Sequence, residues 1–193
     1  MCQGQVRVRK TEQNGELDND EALISRLREL GLRFLGPTPS KSEKPSDLPA
    51  GELLTRLIQH GQPRMRLALI PLLILNPDLA AEIPTLVRQL PDSAARELQA
   101  LYTAAVYLQA FWRTRLNFYL GKASLLPDLY SSALQLPSSR DRHGKTGLHA
   151  LAAWHSNLSP FPVNRLASYN KMMELLFDQL KMESRRREPA TTH

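Results

Sequence analysis

The chain is poor in residues that cross-link, build sheets or span membranes. It holds one cysteine, Cys2, among 193 residues, so no intrachain disulfide forms and a reducing cytoplasm is the expected compartment. Aromatic residues make up 6%. Val, Ile and Thr are few beside Leu and Ala, which favours helix over sheet. The most apolar run, Leu67 to Leu75, contains Pro71 and is too short to cross a bilayer, so no membrane span is expected. MCQGQVRVRK leads into TEQNGELDNDE with no apolar segment between, so no signal peptide is expected either.

Catalytic and metal patterns are equally scarce. Gly144-Lys145-Thr146 ends like a phosphate-binding loop, but Ser139 stands where the first glycine is needed, and LQLPSS ahead of it does not read as a strand. The surrounding DRHGKTGLHALAA resembles the ankyrin signature, with Gly147 in place of its proline. No second copy follows at about 33 residues, and one repeat alone cannot bury its faces. His149 and His155 are six apart, roughly 240° around a helix, so they diverge. No H-E-x-x-H, no cysteine–histidine cluster and no G-x-S-x-G elbow occurs. Glu97, Asp128, Asp141 and Glu174 are scattered and read as caps or solvated faces. No metal, no cofactor and no enzymatic activity is expected.

What is present is helical periodicity. Fourteen prolines divide the chain. Leu23, Ile24, Leu27 and Leu30 form one stripe of a short amphipathic helix. The proline-rich stretch 36–49 then reads as a linker, making 1–47 a flexible N-terminal arm whose helix is free to dock on the main domain or on a partner. A helical domain follows over 48–184, and 185–193 reads as a basic disordered tail. Within the domain Leu53, Leu54, Leu57 and Ile58 face inward, and Pro71 and Pro84 sit inside apolar patterns that each would kink or split. These short bent helices are similar in texture to HEAT-like pairs, but no period is sustained. Residues 125–136 suggest a short helix, and Thr146 a cap for the next one. Leu166, Tyr169, Met173, Leu176 and Leu180 stripe the last helix.

The longest signal runs from Pro91 to Gly121 and reads as one helix, with Leu98, Leu101, Ala105, Leu108, Trp112, Leu116 and Tyr119 recurring at steps of three and four. It carries six of the twelve aromatic residues. The expected fold is therefore all-α: one irregular bundle of six or seven helices around a long central helix, with a flexible N-terminal arm. Helical bacterial proteins have a similar texture, a likeness that carries no function.

The net charge is +6, and all of the excess lies in 51–193, with 17 basic against 11 acidic residues. From Leu98 to Pro127 there is no acidic residue at all. With the core stripe assigned, Phe111, Arg115 and Phe118 remain on the outer face, with Arg113 and Lys122 at its margin. Arg64 and Arg66 extend a possible basic face, and Arg185, Arg186 and Arg187 form a basic run. The expected function is a non-enzymatic interaction or regulatory module that binds a protein partner, such as an operon partner, or a second copy of itself through exposed helix faces. The alternative is a nucleic-acid accessory protein that grips phosphates with these cations and stacks bases on the aromatics.

Overall fold

In the computed structural model, which describes residues 20–36, 47–122, 124–159 and 161–187, the ten consecutive residues from Ala100 to Gln109 are all buried. They lie in helix α6 (Asp92–Phe111). A helix buried all round needs neighbours on every side. Around α6 are α1 (20–29), α2 (Ala50–Gln59), α3 (Pro63–Leu67), α4 (Leu69–Leu75), α5 (Ile83–Gln89), α7 (Arg113–Leu120), α8 (Lys145–Ser156) and α9 (Arg165–Arg187). Two 3-10 turns, Pro77–Ala81 and Asp141–Gly144, join them, and no strand occurs among the described residues. The protein is an all-α bundle around a central helix. Among the described residues no helix is long and apolar enough to cross a membrane.

Helix α1 docks on the domain rather than standing away from it. Leu23, Leu27, Leu32 and Leu35 share one core with α2, α4, α6 and α9. Polar side chains hold the backbone at its end, where Gly31 adopts φ +90°. Gln179 Nε2 donates to the Gly31 carbonyl at 2.6 Å and its Oε1 accepts from Arg33 N–H at 2.8 Å. Asn76 Nδ2 donates to the Leu30 carbonyl at 2.9 Å. Among the described residues the core therefore starts at Leu23. Residues 1–19 and 37–46 of the expected arm and linker lie outside the described residues.

Prolines act where the sequence puts them, with one change. The apolar run 63–75 splits at Ala68, three residues before Pro71. Pro84 stands in the first turn of α5, where a missing N–H costs little, so it starts that helix rather than kinking one. The expected continuous 91–121 helix is broken at Trp112 (φ −97°, ψ 15°), which ends α6 and starts α7. The break turns α7 so that Leu116 and Tyr119 pack into the core cluster, Tyr119 beside Phe177 of α9.

The expected helix at 125–136 does not form. Its backbone bonds to α6 side chains instead: Tyr102 Oη donates to the Pro127 carbonyl at 2.7 Å, and Gln109 bridges the Ser124 carbonyl and Leu126 N–H. Nor does Thr146 cap α8. Gly144 occupies that position in the left-handed region (φ +81°), and a Cβ there would stand 2.6 Å from the Tyr107 carbonyl oxygen. Positions 185–187 of the expected disordered tail form the last turn of α9, where the cations of Arg185 and Arg186 suit the negative end of the helix dipole. Residues 188–193 lie outside the described residues.

Tyr107 lies against Gly147 as closely as against Gly144. A Cβ on Gly147 would come within 2.5 Å of the Tyr107 ring. Helix propensity alone says that Gly147→Ala stabilises α8 by about 0.5–1 kcal/mol. The collision reverses that sign. Urea denaturation of Gly147→Ala is expected to show a net loss of about 2 kcal/mol; a stabilised variant would remove Tyr107 from this position.

Candidate functional site

Two places concentrate chemistry. The first is a buried polar network joining four helices. His155 of α8 is fully buried, and both ring nitrogens are engaged. Nε2 lies 2.5 Å from Glu97 Oε2 of α6, and Nδ1 lies 2.5 Å from Tyr169 Oη of α9. Arg66 of α3 and Arg165 of α9 each approach Glu97 Oε1 at 3.7 Å. A carboxylate at Glu97 accepts from Nε2–H, and the Tyr169 hydroxyl is the partner of Nδ1. Burial alone would push the Glu97 carboxyl up. The hydrogen bond and charge of His155, with the charges of Arg165 and Arg66, outweigh burial and hold it below its ordinary value of 4.5. Burial raises the Tyr169 phenol, so it keeps its proton.

The second place is the surface at the α6–α7 break. Five rings form a chain of contacts. Phe111 meets Trp112 at 5.0 Å, Trp112 meets Phe177 at 5.5 Å, Phe177 meets Tyr119 at 6.3 Å, and Tyr119 meets Phe118 at 4.9 Å. The middle is buried at Phe177, and the ends are open: Phe111 is 38% and Phe118 78% exposed. The Arg115 guanidinium lies 4.0 Å from the Phe177 ring centroid and 5.8 Å from that of Trp112, within cation–π range of both. Arg113 and Lys122 are exposed nearby in sequence.

The residues singled out from the sequence are thus divided. Phe111, Arg115 and Phe118 share in the ring surface, Arg113 is exposed and lines a neighbouring cleft, and Lys122 is exposed just past the end of α7. Arg64, which is exposed, and Arg66, which is half-buried, each have partners within the protein. Arg64 donates to the Phe34 carbonyl at 2.9 Å, and Arg66 donates to the His60 carbonyl at 2.6 Å besides facing Glu97. Arg186 lines a separate groove with Arg28 and Arg33, beside the end of α1. Sequence reasoning missed the Glu97–His155–Tyr169 network. Its members are 58 and 14 residues apart, and the only local signal is a histidine on the apolar side of α8. Among the described residues no group of three or more His, Cys, Asp or Glu side chains is arranged to hold a metal ion.

No protein-family model, curated protein or solved structure matches this chain.

The network makes a signed prediction. Glu97 has a lower value in the folded state than in the unfolded chain, so its contribution is present above about pH 4.5 and lost as pH falls through the folded value. Glu97→Gln is expected to cost about 2 kcal/mol near pH 7. That gap from the parent protein should shrink in urea melts taken below about pH 4. An equal gap at both pH values would mean the carboxylate charge is not what the network uses.

Proposed function

We propose that the protein is a non-enzymatic interaction module, and that its docking surface is the α6–α7 break. The observation that carries this reading is the ring chain open at both ends, with cations on and beside it. Exposed aromatic side chains grouped on one surface are the usual form of a protein-binding anchor. The partner that fits presents apolar side chains to Phe111 and Phe118 and acidic groups to Arg113, Arg115 and Lys122. The absence of any acidic residue from Leu98 to Pro127 leaves that field uncancelled within the segment.

The nucleic-acid reading has less support than the sequence offered it. Arg64, though exposed, already donates to the Phe34 carbonyl, and Arg66 to the His60 carbonyl beside Glu97, so two of its cations are partly engaged within the protein. Arg115 is already stacked on Phe177. As for catalysis, His155 is closed off, with each ring nitrogen held by a protein group and no side-chain surface exposed.

The test is co-purification from the native host, followed by binding of the purified partner to Phe118→Ser. Phe118 is 78% exposed, so the substitution should change folding stability by no more than about 0.5 kcal/mol. Loss of an anchor residue should weaken the complex roughly 30-fold. Unchanged affinity in Phe118→Ser and Arg115→Ala would remove this surface as the docking site. Binding of generic DNA or RNA that collapses between about 50 and 200 mM salt would replace the reading with the nucleic-acid one.

A further inference from the structure

Beside the aromatic surface, but off the outer face of α7, lies a cleft of about 570 Å³. Ligand pockets are commonly about 300–1,000 Å³, apolar in lining, with a few polar groups that fix orientation. Here Val106, Ala110 and Arg113 recur at i, i+4 and i+7, one face of the α6–α7 stack. Leu126 adds to the apolar lining, and Arg140 and His143 bring two further basic side chains.

Charge sets the sign of what can enter. No hydrogen bond or ion pair engages the side chains of Arg113, Arg140 or His143 among the described residues. The one acidic residue of the lining, Asp128, is already occupied. Its Oδ1 accepts from Ser131 N–H and its Oδ2 from Ser139 N–H, each at 3.2 Å. That carboxylate holds the loop wall and offsets part of the cationic charge, leaving two guanidiniums and an imidazole facing an apolar lining.

The backbone that carries His143 is also unusual. Arg142 (φ 45°, ψ 43°) and His143 (φ 54°, ψ 41°) are both left-handed, followed by left-handed Gly144. Each non-glycine residue in this region costs about 1 kcal/mol or more, and such strain persists only where surroundings enforce it. Gly144, packed against the Tyr107 backbone, and the start of α8 at Lys145 enforce it here.

We propose that this cleft binds a small organic carboxylate with an apolar body, the body against Val106, Ala110 and Leu126 and the carboxylate between Arg113, Arg140 and His143. Guanidinium pairs with carboxylate in a two-pronged hydrogen bond that neither an alcohol nor an amine reproduces. The site shares Arg113 with the aromatic surface, but Arg140 and His143 lie on the 139–144 segment and contribute nothing to the ring chain, so substituting them tests the cleft alone.

The experiment is an amide NMR titration of the full ¹⁵N-labelled chain with sodium octanoate, octanol and octylammonium. Octanoate is expected to give saturable shifts at Ala110, Leu126 and Ser139. Octanol and octylammonium should bind roughly tenfold more weakly or not at all. Arg140→Gln, at an exposed position, should weaken octanoate roughly tenfold. His143→Asn, which tolerates the left-handed backbone, should also weaken it. The proposal is overturned by absence of saturation at roughly 10 mM, by shifts confined to Phe111 and Phe118, by equal binding of octanol, or by unchanged affinity in both variants.

Discussion

The burial of the whole stretch from Ala100 to Gln109 in α6 is the constraint on which the other elements depend. Water cannot satisfy any polar group between Ala100 and Gln109, so each must find a partner in the protein. Thr103 solves this locally by donating to the Gln99 carbonyl at 2.7 Å. The others reach outward. Tyr102, Tyr107 and Gln109 take the carbonyls of Pro127, Pro137 and Ser124, and Gln109 also accepts from Leu126 N–H. Residues 124–137 are therefore shaped by α6 side chains. A helix there would turn its carbonyls inward along its own axis and leave three buried side chains of α6 unpaired, at about 1–3 kcal/mol each. Irregular backbone is the cheaper arrangement.

The same rule fixes the two ends of the bundle. At one end Gln179 and Asn76 supply hydrogen bonds to the chain leaving α1, so burial of Leu27 and Leu32 does not strand the backbone beside them. At another, Glu97 gathers His155, Arg66 and Arg165, and His155 passes the connection to Tyr169. Helices α3, α6, α8 and α9 meet there through charge-assisted contacts rather than leucine packing alone. Such a network is geometry-dependent in a way that apolar contact is not, which favours one arrangement of the four helices over its neighbours. It also withdraws Arg66 from the surface.

Much of the fold was legible in the sequence because it follows from local spacing. The steps of three and four that put Leu98, Leu101, Ala105, Leu108 and Leu116 inward identify residues that are buried. Pro63 and Pro77 stand first in their elements, where a missing N–H costs little. What spacing could not supply was pairing across the chain. Asn76 looks like a helix cap, yet its side chain serves Leu30, 46 residues away. His155 invited comparison with His149 along one helix, while its partners come from α6 and α9. The break at Trp112 has no proline or glycine to announce it. Of the surface residues, Phe111, Arg113, Arg115, Phe118 and Lys122 could be named by subtraction once the core stripe was assigned. Arg64 and Arg66 could not be excluded that way, since the carbonyls and carboxylate that bind them are set by tertiary packing.

The Trp112 break gives the two halves of one sequence pattern different environments. Before it, α6 has neighbours on every side. After it, α7 leans on α9 through Leu116 and Tyr119, and only that side is covered. An apolar ring on the uncovered side gains nothing from the core, so Phe118 at 78% exposure forgoes about 2 kcal/mol of burial that a position on α6 would provide. Arg115 covers the otherwise solvent-facing side of Phe177 with a group that remains charged and hydrated. The core thus closes at α7 under a cation rather than under another apolar side chain. That leaves a surface both apolar and charged, the combination on which the proposed docking reading rests.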